Sequence, residues 1–328
     1  IDLALWGWPL VMVALALTLP WPQALILSLT GGYLLLPEMG MWFDPPLLPP
    51  FDKAMIPVFT ALVTALILRP GDVAVTQMRA TQPRPTPQAP LPGWLPRSRV
   101  ALVMLVLVLL GMVATALTNG DTLTFALTSY TRPGLRLFDG LALAIEMLPM
   151  LLALVLGRKY LGHPDQHRLI LWGLAITGLI YTLPVLWEIR MSPRLSLQVY
   201  GFFPHDWHQH IRGGGFRPIV FLPHGLHLAL FLALVAIALF GLSRIEPGRR
   251  PLFLLGGAWV MATLVLSNSL TGLLIALALC PVVLLLGVRT QLATAAFIGV
   301  LVLAYPALRM ADAVPTRGIV SIAERIDP

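Results

Sequence analysis

Long apolar runs separated by short polar connections constrain the fold of this chain more than any other feature. Only 11% of the 328 residues are charged, against about a quarter in soluble domains. The run at 105–110 does not alternate apolar with polar side chains, which favours helices over the strands of a membrane barrel. Because about 20 apolar residues cross a bilayer as a helix, the sequence predicts an all-α, polytopic membrane protein with about ten spans. We place these spans at residues 3–19, 22–36, 54–68, 99–118, 139–157, 168–188, 220–242, 251–266, 273–287 and 292–307.

Lysine and arginine concentrate in four connections, at residues 69–98, 158–168, 243–250 and 288–291. If the spans alternate in direction, all four lie on one side, which the positive-inside tendency identifies as the cytoplasm. The formal charge of +7 is then largely explained by loops that face anionic lipid, so a nucleic-acid partner is not predicted. The opposite, outer side receives residues 37–53, 119–138, 189–219, 267–272 and the tail from 308.

These connections divide the chain into successive segments. The connection at 69–98 contains the proline-rich stretch TQPRPTPQAPLPGWLP, which predicts a cytoplasmic linker without a packed core. The single cysteine, Cys280, excludes an intrachain disulfide. The predicted order is N-terminal transmembrane helices at 1–68, the linker at 69–98, central transmembrane helices at 99–188, a basic and histidine-rich outer loop at 189–219, C-terminal transmembrane helices at 220–307, and the start of an outer segment at 308–328.

The outer loop at 189–219 is an exception to this orientation, because it is basic yet lies on the side that basic loops tend to avoid. It carries Arg190, Arg194, Arg212 and Arg217. One explanation is that these guanidinium groups anchor the loop to phospholipid phosphates. The other is that they bind an anionic substrate from the outer leaflet, because arginine forms paired hydrogen bonds with phosphate. We predict the second, and therefore an active-site loop at the mouth of the helical bundle.

Arg217 follows three consecutive glycines in the motif GGGFRP, which is the sharpest local signal in the chain. Gly213, Gly214 and Gly215 can adopt positive φ angles and bring exposed N–H groups close to an anion. Pro218 suits the first turn of the next helix, so Arg217 is expected to point at a phosphate above a helix N-terminus. The alternative is a hinge with an arginine that extends along the membrane surface.

His224 and His227 are three residues apart at the start of the predicted seventh span, so they are expected to share one face of a helix. A histidine within a span indicates a functional role by default. A neutral imidazole near a lipid phosphate can take a proton from an attacking hydroxyl. The alternative for both residues is a hydrogen bond between helices. Glu188 and Arg190 end the preceding span, where they either pair with each other or line the same cavity.

The segment HDWHQH contains three further histidines, His205, His208 and His210. Their residue type suits zinc, but the spacing matches no standard zinc pattern and no cysteine is nearby, so we predict no metal site. An aromatic-flanked surface for a saccharide or a lipid headgroup agrees better with the neighbouring residues. The sequence also contains no phosphate-binding loop and no dinucleotide fingerprint, and we predict no cofactor.

Several stretches resemble the O-antigen ligase and polymerase-like membrane proteins of bacteria, including exopolysaccharide polymerases. They are YGFFPHDWHQHIRGGGFRPIVFLPHGLHLALFLAL, GRKYLGHPDQHR, LWEIRMSP and GGYLLLPE…FDPPLLPPFDK. The resemblance covers most of the chain, and its specific motifs concentrate in residues 181–230. It implies an all-helical, GT-C-like glycosyltransferase bundle in the bacterial inner membrane with its active site facing the periplasm. Such an enzyme joins a saccharide from an undecaprenyl-diphosphate carrier to an acceptor sugar or lipid, without a nucleotide sugar and usually without metal.

The resemblance also implies roles for individual residues. Outer-loop arginines of the family hold the donor diphosphate, and Arg217, Arg190 and Arg212 are the matching positions. Family members often carry another arginine in a turn between two late spans, whereas this chain has SNSLTG at 267–272. They also often place a catalytic histidine in a large outer loop, which would begin here after residue 308. A base at His224 is therefore predicted from the residues themselves and not from the resemblance.

The predicted function is polymerisation or ligation of saccharide units onto an acceptor glycan in exopolysaccharide or O-antigen synthesis, independent of metal. The predicted partners are an undecaprenyl-diphosphate-linked saccharide, the acceptor glycan, membrane lipids and other polysaccharide-assembly proteins. One alternative is a transporter or flippase of lipid-linked saccharides, with a proton path through Glu146, which lies deep in a predicted span. Another is a non-catalytic partner in a polysaccharide assembly complex.

Overall fold

The computed structural model describes residues 1–38, 51–68, 93–125, 130–204, 206–212 and 215–311. The predictions for most of the proline-rich linker, for His205 and Gly214, and for nearly all of the tail fall outside these residues, as does the side chain of Arg212. The helices are α1 (Asp2–Thr18), α2 (Trp21–Leu35), α3 (Met55–Leu68), α4 (Arg99–Thr118), α5 (Leu137–Glu146), α6 (Leu148–Leu161), α7 (Pro164–Met191), α8 (Leu195–Tyr200), α9 (Gly225–Ile245), α10 (Arg250–Leu266), α11 (Leu270–Leu285) and α12 (Val288–Met310).

Six helical segments of the described residues are long and apolar enough to cross a membrane. They are Arg99–Thr118, Leu137–Leu161, Pro164–Met191, Gly225–Ile245, Pro247–Leu266 and Val288–Met310. Three shorter apolar helices, Asp2–Thr18, Met55–Leu68 and Leu270–Leu285, also coincide with predicted spans. The prediction of an all-α, multi-pass membrane protein is therefore confirmed.

The predicted span at 139–157 consists of two helices, because α5 ends at Glu146 and α6 begins at Leu148. Pro149 explains the interruption, since proline lacks the N–H that would continue the hydrogen bonds of α5 and its ring clashes with the preceding turn. Proline is tolerated in the first turn of a helix, which is where Pro149 lies in α6.

Two short antiparallel hairpins interrupt the helices on the predicted outer side. Strands β1 (Leu123–Phe125) and β2 (Tyr130–Arg132) pair with each other. Strands β3 (Ile211–Arg212) and β4 (Gly215–Phe216) pair as Ile211 with Phe216 and Arg212 with Gly215. The outer loop at 189–219 is therefore partly ordered into helix α8, a 3-10 turn at Trp207–His210 and the second hairpin.

The chain forms two compact units, Ile1–Ala276 and Leu277–Pro328. In the first unit, α9 packs against α7 and α10 and buries residues along its whole length. A methyl group added at Gly178 of α7 would lie 2.3 Å from a side-chain carbon of Val235, so glycine permits the close contact between α7 and α9. A second apolar cluster joins α1, α2, α3 and α6 through Met12, Leu25 and Leu156. In the second unit, Gln291 of α12 donates to the carbonyl groups of Val283 and Leu286.

Contacts at the two ends of α7 separate the predicted cytoplasmic connections from the outer loop. Near the first end, Arg168 forms an ion pair with Glu246, and Trp172 Nε1 donates to the same carboxylate at 3.4 Å. These contacts place the connection at 158–168 beside the connection at 243–250. At the last turn of α7, Glu188 contacts the backbone of the outer loop. The turn that carries Arg217 therefore lies at the opposite end of α7 from the connections at 158–168 and 243–250.

Candidate functional site

The segment from Arg217 to His224 connects β4 to α9 and organises the candidate site. The sequence predicts that the seventh span begins at 220 and that Pro218 lies in its first turn, but α9 begins at Gly225. The prediction was wrong because Val220 has a φ of 55°, a left-handed conformation that cannot continue a right-handed helix. Pro223 and the capping residue His224 then start α9 at Gly225, about one and a half turns after the predicted start at 220. The segment that precedes α9 is therefore a folded turn.

The Arg217 side chain lies across the first residue of α9 and is buried, with 5% of its surface exposed. Its Nη2 donates to the hydroxyl of Ser269 at 3.1 Å. A methyl group added at Gly225 would lie 2.6 Å from Arg217 Nε and 2.8 Å from Cγ, so only glycine leaves room for the arginine. The N-terminus of a helix carries a partial positive charge. A buried guanidinium at the same place makes this the strongest candidate for an anion site in the described structure.

His210 fixes the backbone of Arg217 from the hairpin side. The Arg217 N–H donates to the His210 carbonyl at 2.8 Å, and His210 Nδ1 donates to the Arg217 carbonyl at 3.3 Å. Because a carbonyl can only accept, this contact places a proton on Nδ1 of His210. The ring is fully buried and packs edge-on against Phe203. Its centroid is 5.7 Å from that of His224, so both imidazoles belong to the Arg217 cluster.

His224 is the N-cap of α9, and its Nδ1 accepts a hydrogen bond from the Leu226 N–H at 3.0 Å. A neutral imidazole that accepts at Nδ1 carries its proton on Nε2. While the cap is formed, His224 therefore suits hydrogen-bond donation better than the predicted role of a base. His227 is exposed in the first turn of α9, and only His224 of the pair joins the Arg217 cluster.

The other predicted site residues lie away from this cluster or at its margin. Arg190, Arg194 and His208 are exposed. The Arg194 guanidinium lies 5.6 Å from the ring centroid of Trp207, where it makes a cation–π contact. Gly215 pairs with the backbone of Arg212 in the hairpin. Of the predicted residues whose side chains are described, the structure thus brings together Arg217, His210 and His224.

Glu188, which the sequence could only place beside Arg190, is bound to the backbone of the outer loop. Its carboxylate is fully buried and accepts from the N–H groups of Leu195, Ile219 and Val220 at 2.9, 2.9 and 2.7 Å. Two of these donors precede α9 by only a few residues. Glu188 therefore joins α7 to the turn that carries Arg217.

Lys53 is a second buried cation at this end of the protein, with 5% of its surface exposed. Its Nζ donates to the Phe221 carbonyl at 2.7 Å and forms an ion pair with Glu38 at 2.9 Å. Burial lowers the pKa of the Lys53 ammonium, and the nearby Glu38 carboxylate opposes that shift. Lys53 was not predicted as a site residue. Like Arg217, it is a basic residue in a connection on the predicted outer side, here the connection at 37–53.

The turn at 267–272 also belongs to the site, because its Ser269 accepts from Arg217. The predicted family often has an arginine in this turn, and here a serine hydroxyl contacts the arginine of the outer loop. Within the described ranges, no three His, Cys, Asp or Glu side chains are grouped so that they could hold a metal ion. The described site is built around the buried Arg217 guanidinium at one helix N-terminus, with His210 and Ser269 hydrogen-bonded to Arg217 and the Glu188 carboxylate bound to the turn that follows it.

Comparison of the chain with protein-family models, with curated proteins and with solved structures finds no match. The class of protein is defined by the fold and the site together. The chain is a multi-pass α-helical membrane protein with a buried arginine, Arg217, at the N-terminus of α9.

Proposed function

We propose that this chain is a lipid-linked oligosaccharide glycosyltransferase of the bacterial inner membrane, with about ten spans in a GT-C-like bundle. It polymerises or ligates saccharide units from an undecaprenyl-diphosphate donor onto an acceptor glycan at the periplasmic face. The observation that carries this proposal is the buried Arg217 guanidinium at the N-terminus of α9. The cluster lies at the end of α7 opposite two of the connections that are predicted to face the cytoplasm, those at 158–168 and 243–250.

Electrostatics explains why this geometry suits a diphosphate leaving group. Arg217 and the positive end of α9 both favour an anion at the same point. Negative charge grows on the diphosphate as its bond to the sugar breaks, so fixed positive charge there stabilises the transition state more than the ground state. His224, with its proton on Nε2 in the neutral form, adds a hydrogen-bond donor to the same cluster.

The reaction exchanges one bond at the anomeric carbon of the donor sugar for another. An acceptor hydroxyl forms the new carbon–oxygen bond while the bond to the diphosphate oxygen breaks. Undecaprenyl diphosphate leaves, and the hydroxyl proton passes to the leaving group or to water. The residues of this chain bind and orient the phosphate end, and neither a covalent enzyme intermediate nor a metal ion is part of the proposal.

Substitution of Arg217 tests the proposal directly. We expect Arg217→Ala to lower polymer formation by about 100-fold or more, the usual effect of removing one donor that stabilises developing charge. Arg217→Lys keeps the charge but loses the guanidinium fork, so it should retain part of the activity. Purified variants in liposomes, supplied with donor lipid and acceptor, give the rate of glycosidic-bond formation.

Arg289→Ala provides a matched control, because Arg289 is an exposed arginine in a predicted cytoplasmic connection. It should form product at the rate of the unchanged protein. Product formation by Arg217→Ala at that same rate, with equal protein in the membrane, would contradict the proposed function.

A transporter of the same lipids is the second candidate, and the break between α5 and α6 favours it. The carboxylate of Glu146 lies at this break, and interrupted helices with an ionisable residue are common at transport sites. The liposome assay separates the two functions. New glycosidic bonds indicate the transferase, whereas movement of unchanged donor lipid across the bilayer that is lost in Glu146→Gln indicates the transporter.

A further inference from the structure

The buried carboxylate of Glu188 has a role that follows from what it binds. It belongs to the last turn of α7, and its two oxygens accept three backbone N–H groups from two separate segments. Oε1 accepts from Leu195, which begins α8. Oε2 accepts from Ile219 and Val220, which follow Arg217. A fully buried carboxylate with three such bonds is well satisfied, and its loss would leave buried N–H groups without an acceptor.

The turn that Glu188 binds is conformationally strained. Val220 has a φ of 55°, a left-handed conformation that a β-branched side chain adopts only at an energetic cost. In this conformation the N–H groups of Ile219 and Val220 both reach the same carboxylate oxygen. Successive N–H groups directed at one anion are a known arrangement for holding negative charge. The carboxylate therefore stabilises a backbone conformation that valine would otherwise avoid.

Side chains from distant parts of the chain bind the next residue of the same turn. Lys53 donates to the Phe221 carbonyl at 2.7 Å, and the Tyr181 hydroxyl accepts from the Phe221 N–H at 3.3 Å. On the other side of Arg217, His210 makes two backbone contacts with that arginine. The Arg217 backbone is thus fixed by His210 before the turn and by Glu188 after it.

We infer that Glu188 is the positioning residue for Arg217. It holds the turn that directs the Arg217 guanidinium across Gly225 at the N-terminus of α9, and it acts on the reaction only through that arginine. The catalytic consequence of this inference, a loss of turnover when Glu188 is replaced, rests on the proposed function. Its structural consequence, the placement and burial of Arg217, can be measured independently of any activity.

Glu188→Gln is the sharpest variant, because glutamine has the same shape but replaces one acceptor oxygen with an NH₂ group. That group would face a backbone N–H, and two donors cannot satisfy each other. The Arg217 side chain should then become accessible to phenylglyoxal, an arginine-specific reagent, with modification at Arg217 quantified by mass spectrometry. Asp165→Asn is the matched control, since Asp165 is an exposed carboxylate at the opposite end of α7. In Asp165→Asn, Arg217 should remain protected from phenylglyoxal as it is in the unchanged protein.

Turnover supplies the second readout. Glu188→Gln should reduce kcat by about 100-fold, the scale expected when a catalytic group is displaced by roughly 1 Å. In an Arg217→Ala background the same substitution should cause no further loss, because a residue that acts through Arg217 has nothing left to position. If Glu188→Gln fails to give monodisperse protein, Glu188→Asp replaces it. Aspartate keeps both oxygens on a shorter side chain, and we expect partial modification of Arg217.

The outcomes test the positioning role of Glu188 and the proposed function separately. Unchanged modification of Arg217 in the Glu188 variants would overturn the inference. It would also be overturned if the double variant lost turnover by the product of the two single fold-losses, because independent effects combine in that way. Increased Arg217 modification together with full activity of Arg217→Ala would support the positioning role while contradicting the proposed function. Increased modification with a non-additive loss of turnover supports both.

Discussion

At the scale of single residues, the position of Arg217 depends on the absence of a side chain at Gly225. Any larger residue would place its Cβ within 2.6 Å of Arg217 Nε, in the middle of the arginine side chain and not at its flexible end. The conflict can be relieved only if the guanidinium moves away from the N-terminus of α9. Gly225 is thus a specific requirement of the proposed anion site.

Gly225→Ala should therefore lower glycosyl transfer by about tenfold or more, because it displaces the guanidinium from the developing charge. The same clash overpacks a buried contact and should destabilise the protein by about 1–3 kcal/mol, which is offset in part because alanine is a better helix former than glycine by about 1 kcal/mol. Turnover in liposomes and thermal unfolding in detergent measure the two effects separately.

Gly299→Ala in α12 is the control for this substitution, because a methyl group added at Gly299 meets no atom within 4 Å. It should leave turnover unchanged. Equal turnover of Gly225→Ala and Gly299→Ala would show that turnover does not depend on the position of the Arg217 guanidinium beside Gly225.

The residues of the site could be predicted from the sequence only where local composition was unusual. Arg217 was found because it follows three glycines in a basic loop on the predicted outer side. Glu188 was predicted to line the cavity only as an alternative to pairing with Arg190, and Lys53 was not identified, because their roles depend on contacts with Val220 and Phe221. The contact between Lys53 and Phe221 spans 168 residues of sequence, and no local pattern encodes it.

At the scale of the helices, α7 packs against α9 within the first compact unit. Gly178 permits this contact, because an added methyl group would approach Val235 to 2.3 Å. The α7–α9 pair carries Glu188 at the end of one helix and the Arg217 turn before the other. Close packing of these helices therefore supports the geometry of the site.

Gly178→Ala should destabilise the protein by about 1–3 kcal/mol, because an added methyl group overpacks a tight interface. Thermal unfolding in detergent measures this loss. Gly157→Ala in α6 provides the comparison, since a methyl group there meets no atom within 4 Å and should leave the melting temperature unchanged or slightly raised. Equal melting temperatures for the two variants would contradict the proposed role of the α7–α9 interface.

The limits of α1, α2, α3, α4 and α10 agree with the predicted spans to within one residue, because apolar runs end where polar or proline-rich segments begin. The predicted span at 99–118 coincides with α4. The errors arise where a few residues override an apolar run. Pro149 separates α5 from α6, and the left-handed Val220 delays the start of α9. The two short hairpins were missed because strands of two or three residues carry too little periodicity to be recognised.

At the scale of the whole molecule, the two ends of α7 differ in chemistry. The end near Arg168 and Glu246 contains connections that are predicted to be cytoplasmic, and the other end contains the Arg217 cluster. Apolar side chains are widely exposed along α4 and α12, as expected for helices that face lipid. If the proposed function is correct, the orientation of the bundle determines which leaflet supplies the donor lipid.

Cysteine labelling tests this orientation. In a Cys280→Ser background, Gln198→Cys should react with a membrane-impermeant maleimide added to cells whose outer membrane alone is permeable, because Gln198 is exposed on the predicted periplasmic side. Asp165→Cys should react only after the inner membrane is opened. The reverse pattern would place the Arg217 cluster in the cytoplasm and exclude a periplasmic reaction.

The most direct test of the central claim is a structure of the purified protein with bound undecaprenyl diphosphate. We predict a phosphate group within hydrogen-bond distance of the Arg217 guanidinium, above the N-terminus of α9 and beside His224. A diphosphate bound away from the residues that surround this turn, with Arg217 still packed against Gly225 and Ser269, would contradict the claim.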